Sequence, residues 1–408
     1  MKSIVRYAVL FTFLVLTSSF ITPVRAQQLV FYYDLEGDND AYDNLKETVA
    51  VIKGMSEEQL QENGIVTAFI KKTGNLHVLT ITLSDSWKEM FQPNSLKAFL
   101  QKVSIPECIE TIGEEAFEGC VKLTSIKIPN SVTSIGRAAF LGSGLTSVEI
   151  PDSVTSIGEM AFQYCEELTS IKIPNSVTSI GRAAFLGSGL TSVEIPDSVT
   201  SIGESTFQFC EKLTSIKIPN SVTSIGWEAF SDCNSLTSLM IPISVTTIDG
   251  AVVNPEFTAI KLPEENSCFQ IDGCLLLSKN GETLVSLIKP TKDVIIPGTV
   301  KIIGKNAFRR SNLTGVIIPN SVTTIEDNAF SDCQNLTSIE IPNSVTSIGN
   351  GAFYGSGLTS VVIPNSVMKI GRSAFSSTHQ ITIPNSLVIG NDAVPWEAFP
   401  YDVEIIKR

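Results

Sequence analysis

Few side chains in this chain are equipped for chemistry, and most of those fall at one phase of a repeat. There are two histidines, His77 and His379, about three hundred residues apart. A nucleophilic triad or a zinc site needs imidazole gathered with other reactive or ligating groups, and both histidines read as ordinary strand residues. The acidic run Glu36, Asp38, Asp40, Asn44, Glu47 has the offsets 1, 3, 5, 9 and 12 of a calcium loop. Ala41 occupies the place where that loop needs glycine, and no helix precedes it, so the run reads as a solvated acidic turn. The glycines of Gly142-Ser143-Gly144 lack the following lysine of a phosphate loop and recur at Gly187 to Gly189 and Gly355 to Gly357, as repeat turns do. Neither catalytic residues, nor a metal site, nor a cofactor site is expected.

Eight cysteines invite a disulfide framework in an exported chain. Five of them, Cys120, Cys165, Cys210, Cys233 and Cys333, stand three residues after a phenylalanine, and other repeats carry Ser143, Ser188, Ser311 or Ser356 at that phase. The position therefore calls for a small side chain able to donate to nearby backbone, and buried free thiols fit it. Cys210 and Cys233, on adjacent repeats, are the in-phase pair close enough in sequence to oxidise. Cys268 and Cys274 lie outside the phase, where a local disulfide and free thiols are both open.

What positions these residues is the repeat itself. Ile-Pro-Asn-Ser-Val-Thr-Ser or a close variant returns mostly every 22 or 23 residues, with its proline at Pro106, Pro129, Pro151, Pro174, Pro196, Pro219, Pro242, Pro263, Pro297, Pro319, Pro342, Pro364 and Pro384. A fixed period of this length means one small unit per repeat, unable to bury its apolar face alone and stacked on its neighbours. In Leu123 to Pro129, Ile126 and Ile128 alternate with Lys127, as a half-buried strand requires. Pro129-Asn130-Ser131 turns the chain, Val132 and Ile135 point inward from a second extended piece, and Ala139-Phe140 closes the coil in a helical or 3₁₀ turn. Residues 123–159 are identical to residues 168–204, so a unique active site has no place in either copy.

The phrases "IPNSVTSIGRAAF" and "CEELTSIKIP" resemble the BspA-like class of leucine-rich repeat found in bacterial surface and secreted proteins and in some parasitic protists, over roughly residues 96 to 385. The resemblance implies an α/β repeat solenoid, a right-handed leucine-rich-repeat coil with a parallel sheet on one face, and a family role in adhesion or host contact.

The remaining segments complete the organisation. Residues 1–26 read as a secretory signal peptide, with Lys2 and Arg6, an apolar run from Ala8 to Leu16 too short to span a bilayer, and small residues at Val24 and Ala26. Residues 27–95 read as a small mixed α/β N-terminal cap, with helices near 44–53 and 56–61 and strands near 65–71 and 77–83. Regular repeats are expected over 96–249 and 297–390. Between them, 250–296 form irregular rungs with a β-hairpin insert turning at Asn280-Gly281, which either widens the ladder or protrudes. A C-terminal cap over 391–408 includes a last strand near Val403 to Ile406.

Charge narrows the partner. The formal net charge is −13, and removal of residues 1–26 takes away Lys2, Arg6, Arg25 and no acid, leaving −16. That sign and the lack of a basic stripe exclude nucleic acid, and no later segment has the apolar length of an integral membrane span. The pleat aims one column of side chains outward between the strand isoleucines: Ser104, Lys127, Glu149, Lys172, Glu194, Lys217, Met240, Lys261, Ile295, Ile317, Glu340, Val362, Thr382. Its first half alternates in sign and cancels its own field. Its second half presents Met240, Ile295, Ile317 and Val362, candidate partner-binding residues unless the cap or the hairpin folds back over them. The expected function is that of a non-enzymatic exported leucine-rich-repeat protein, a cell-surface adhesin or scaffold whose strand-lined face binds a protein or glycan of a host matrix or cell surface. The alternative is a structural envelope spacer with no specific ligand.

Overall fold

The structure is a computed structural model that describes residues 27–34, 65–73, 76–83, 89–90, 100–107, 109–250, 259–390 and 392–408. The expected signal peptide, the acidic run from Glu36 to Glu47 and both helices of the N-terminal cap lie outside the described residues. Contacts divide the chain into two compact units, residues 1–200 with 206–217, and residues 201–205 with 218–408.

Both units are built from one kind of coil. A three-residue strand such as Ser147–Glu149 runs parallel to its counterpart in the next rung, Ser170–Lys172, with Val148 opposite Ile171 and Glu149 opposite Lys172. The Ile-Pro that follows leaves the strand because proline has no N–H to donate to a ladder. Pro151 O then accepts from Val154 N at 3.0 Å, closing a turn over Asp152-Ser153. Ser153 Oγ donates to Val132 O of the preceding rung at 2.6 Å, and Ser198, Ser321 and Ser366 make the same bond. A two-residue strand follows, Ser156–Ile157, parallel to Ser134–Ile135 and Ser179–Ile180. There are thus two columns of parallel strands, where one sheet face was expected.

The segment that closes each coil corrects the α/β assignment. Around Ala139-Phe140 the chain forms neither α nor 3₁₀ helix; Ala138 (φ 51°) and Gly142 (φ 62°) are left-handed. Four-residue spacing of left-handed positions stops helical propagation and turns alternate N–H groups toward the next rung. Ala138 N donates to Glu159 O (2.8 Å), Phe140 N to Ala161 O (2.8 Å) and Gly142 N to Gln163 O (2.8 Å), while Ala139 N and Leu141 N bond within the rung. A left-handed non-glycine residue costs roughly 1–2 kcal/mol, offset here by a backbone bond to the neighbour. The one regular helix among the described residues is the short 3₁₀ turn Trp396–Ala398. The fold is a leucine-rich-repeat-like β-solenoid.

The core follows from the repeat. Phe117, Phe140, Phe162, Phe185 and Phe207 are fully buried and stack with ring centroids 5.2, 5.1, 5.5 and 5.4 Å apart. In the second unit Phe308, Phe330, Phe353 and Phe375 do the same at 5.0, 5.2 and 5.1 Å. Leucines at the strand entry and the Ile and Val of both strands fill the rest.

At its N-terminal end the first unit carries an antiparallel sheet in which Gln27–Asp34 pairs with Leu100–Ser104 on one side and Leu76–Leu83 on the other, with Ile65–Thr73 outermost. These strands cover the edge of the first rung strand, which would otherwise be an open template for another chain. The strand Glu404–Lys407 pairs parallel with Gln380–Ile383 at the other terminus.

The insert turns at Asn280-Gly281 as its sequence indicates, with Gly281 (φ 72°) donating to Ser278 O at 2.8 Å. It is a three-strand meander, Phe269–Asp272, Leu275–Ser278 and Thr283–Leu287, whose last strand pairs parallel with Ile302–Ile303. Leu275, Leu276, Leu277 and Leu284 are buried, so the hairpin widens the ladder and does not protrude. The antiparallel register also separates Cys268 from Cys274: Phe269 pairs Ser278 and Asp272 pairs Leu275, placing one cysteine before the strand and the other at its far turn. Four intervening strand residues span roughly 13 Å, beyond the reach of a disulfide.

A pair 82 residues apart in sequence bridges the rungs on either side of the insert: Arg310 Nη1 lies 2.6 Å from Glu228 Oε1, whose side chain is only 3% exposed. Arg309 beside it stacks on Trp227 at 4.1 Å and lies 3.4 Å from Asp332.

Two substitutions test this architecture. A Cβ at Gly158 would sit 2.6 Å from Gly136 C and 2.7 Å from Arg137 N, so Gly158→Ala is expected to lower stability by about 1–3 kcal/mol, seen as a lower urea midpoint by circular dichroism. Arg310→Ala deprives the buried Glu228 carboxylate of this cation and is expected to cost about 1–3 kcal/mol; an unchanged midpoint would show the bridge to be idle.

Candidate functional site

Because the inward positions are committed to packing and the turns to rung-to-rung bonds, the outward column on the three-residue strands is where the sequence is free to vary. Every member from Ser104 to Val362 is exposed, and Thr382 is half-buried. In the first unit the pairing puts opposite charges side by side: Lys127 bridges Glu149, Glu149 faces Lys172, and Glu194 faces Lys217. Lys217 Nζ forms an ion pair with Glu194, and this hydrogen bond raises the lysine above its ordinary value. Both side chains are well exposed, so such pairs add little stability and mainly neutralise the face.

In the second unit the column changes character. Met240 on Ser238–Met240 faces Lys261, Ile295 on Asp293–Ile295 faces Ile317 on Gly315–Ile317, and Val362 on Ser360–Val362 faces Thr382. Their exposures are 51% for Met240, 74% for Ile295, 62% for Ile317 and 47% for Val362. The hairpin does not fold back over them; its leucines are spent on the ladder. An open groove of about 590 Å³ runs over Ile295 and Ile317 and onto Glu340 of the following rung, with Val294 buried beneath and Asp293 at its edge. The structure therefore groups Ile295 with Ile317 as direct neighbours, and places Met240 and Val362 on the same kind of strand position elsewhere in the unit.

A second outward column, one residue after the conserved-phase glycine, was not singled out by the sequence. It holds Glu114, Arg137, Glu159 and Arg182 in the first unit, with Arg137 ion-paired to Glu114, 3.1 Å from Glu115, and Arg182 3.7 Å from Glu159. Its signal was present in the repeat phase, as the same alternation of sign seen on the strand face.

Groups of other chemistry stay apart from these columns. His379 sits just before Gln380–Ile383 and holds that strand to its neighbours through its backbone. Among the described residues no three His, Cys, Asp or Glu side chains are grouped as metal ligands, and no helix is long and apolar enough to cross a membrane. The seven described cysteines are free, and Cys120, Cys165, Cys210, Cys233 and Cys333 are buried. Cys165 Sγ donates to Phe140 O at 3.0 Å and lies 3.4 Å from Ser143 Oγ; Cys333 repeats this with Phe308 and Ser311 at 3.0 and 3.3 Å. Hydroxyl and thiol thus meet on neighbouring rungs of one buried column, and it is the thiol that donates to the backbone.

The sequence matches the family model "BspA type Leucine rich repeat region (6 copies)" over residues 89–210, 178–271 and 288–394. Among solved structures, a leucine-rich cell surface protein of Faecalibacterium prausnitzii A2-165 is 29% identical, covers 83% of this chain and 94% of its own, and superposes with a TM-score of 0.55. The pneumococcal vaccine antigen PcpA, 21% identical over 85% of this chain and 87% of its own with a TM-score of 0.51, shares the fold. No curated protein sequence matches the chain.

Burial, partly countered by the serine bonds, pushes the thiols of Cys165 and Cys333 up to about 11. The folded state thus holds these protons to higher pH than the unfolded chain, whose thiols titrate near 9.0. Their contribution to stability is complete below about pH 9 and is lost as pH rises through about 11. Urea midpoints measured from pH 8 upward are expected to fall over that window, and to fall less in Cys165→Ser/Cys333→Ser.

Proposed function

This chain belongs to the BspA-type leucine-rich repeat family, and we propose that it is an exported, non-enzymatic cell-surface binding protein whose strand-lined face captures a protein or glycan of a host matrix or cell surface. The observation that carries this reading is the pair Ile295 and Ile317, directly opposed on adjacent strands and 74% and 62% exposed. Water contact at such residues forgoes about 1.5–3 kcal/mol per side chain that burial against a partner recovers. A solvated leucine-rich face gains nothing from isoleucine at a position that holds Lys or Glu in the first unit, whereas a partner site does.

The likeness to a bacterial leucine-rich cell surface protein supports placement at the cell surface, and the signal-peptide reading of residues 1–26 supplies the route there. The absence of a unique nucleophile, base and orienter in a segment duplicated word for word favours binding over catalysis. The rival reading, an envelope spacer, draws on the same repeats but leaves the exposed isoleucines without a role.

The double variant Ile295→Lys/Ile317→Lys separates the two. Both positions are exposed, so thermal stability is expected to stay within about 0.5 kcal/mol of the parent. Beads coated with the variant are expected to adhere to extracellular matrix and epithelial monolayers about tenfold less than beads coated with the parent chain. Equal adhesion by both, or none by either, would favour the spacer.

A further inference from the structure

The column that follows the glycines ends differently from the way it begins. Its last three members on the regular rungs are Asp327, Asn350 and Arg372, and the final coil continues it. Ile370 N donates to Ala393 O (2.8 Å), Ser373 N to Glu397 O (2.6 Å) and Phe375 N to Ala398 O (2.9 Å), and Phe399 stacks on Phe375 at 6.4 Å. Phe399 thus falls over Phe375, while the bond from Ser373 comes one residue later than in the regular rungs and brings Glu397 beside Arg372, with Trp396 just before it and its indole over Gly390. Pro395 and the 3₁₀ turn Trp396–Ala398 hold the indole outward, 64% exposed.

Trp396 lines a cavity of about 380 Å³ together with Asn350, Lys369, Arg372, Asp392 and Glu397. Earlier in the same column, arginine is neutralised by glutamate on the neighbouring rung. Here Arg372 shares one cavity with the amide of Asn350, the indole of Trp396 and the carboxylates of Asp392 and Glu397, and forms an ion pair with neither acid. Asn350 Oδ1 accepts from Arg372 N at 2.9 Å, and Asn350 Nδ2 lies 3.4 Å from Asp327 Oδ2, which fixes the amide plane. None of the side chains of Lys369, Arg372, Asp392 and Glu397 is in an ion pair or a side-chain hydrogen bond among the described residues. Two cations and two anions around one small cavity give it donors and acceptors on several sides and no net charge.

We propose that this cavity at the C-terminal end of the solenoid is a subsite for one hexopyranose unit of an uncharged glycan. A pyranose has an apolar face of C–H bonds that packs on the π-face of an indole, and a rim of hydroxyls that both donate and accept. Arg372 and Lys369 supply donors only, the carboxylates of Asp392 and Glu397 supply acceptors only, and the volume falls in the range of small-ligand sites. Charge balance disfavours sulfated or sialylated sugars, which would meet Asp392 and Glu397, and simple cations, which would meet Arg372 and Lys369. The site is separate from the strand-face isoleucines, so it stands or falls independently of the function proposed above.

Isothermal calorimetry of the full mature chain with methyl glycosides and disaccharides of glucose, galactose, mannose and N-acetylglucosamine tests the assignment, with sialyllactose and a sulfated disaccharide as charged probes. At least one neutral sugar is expected to bind. Its affinity is expected to fall about tenfold or more in Trp396→Ala and in Arg372→Ala, and to be unchanged in Tyr401→Ala, an exposed aromatic outside the cavity. Arg372→Ala decides the matter if loss of the indole disturbs the last coil. Failure of every neutral sugar to bind, binding by the charged probes alone, or undiminished affinity in Arg372→Ala overturns the assignment.

Discussion

The close approach of one rung to the next governs the rest of this molecule. Backbone N–H groups of both strand columns and of the left-handed positions, and the serine hydroxyls of the proline turns, donate to carbonyls of the neighbouring rung, so the spacing is set by hydrogen-bond length and not by side-chain size. At that spacing phenylalanine rings fall 5.0 to 5.5 Å apart within the regular stacks, near parallel, and glycine becomes necessary where backbones nearly touch. A Cβ at Gly181 would lie 2.4 Å from Glu159 N. Serine and cysteine share the buried column because both fit the same small volume, the hydroxyl of one rung lying against the thiol of the next.

This constraint divides the residues into those that build the ladder and those left free. Leu, Ile, Val, Phe and Ala face inward, while Pro, Ser, Thr and Gly serve the backbone. Two outward columns carry what remains. In the first unit both alternate in sign and neutralise themselves between rungs. The second unit departs from that habit, with isoleucine on isoleucine at Ile295 and Ile317 and with Arg372 and Trp396 lining one cavity. Both departures occur where a repeat protein can afford individuality, since neither position contributes to rung spacing.

Irregular segments obey the same rule. The meander at residues 269–287 reverses direction yet returns Thr283–Leu287 to parallel pairing with Ile302–Ile303, and Glu228 with Arg310, Trp227 with Arg309 and Asp249 with Lys305 span the lengthened interval. Antiparallel strands close the first rung at one terminus, and Glu404–Lys407 extends the last at the other. The ends are thereby given hydrogen-bond partners that repeats in the middle obtain from each other.

Repetition made much of this legible before any coordinates. A heptapeptide recurring mostly every 22 or 23 residues dictates stacked coils, since no single unit can bury its own apolar face. The alternation Ile-Lys-Ile dictates which side chain points outward, and Asn280-Gly281 dictates a turn. Tertiary structure decided what depends on the neighbouring rung. Ala138 and Met160 take left-handed conformations that no local preference favours, because their N–H groups find acceptors one rung away. That is why a helical closure was expected and a ladder of turns is found. Likewise, nothing local joins Glu228 to Arg310, separates Cys268 from Cys274, or brings Trp396 and Arg372 to one cavity. Those relations exist only once the coils are stacked, for distance in a solenoid is counted in rungs and not in residues.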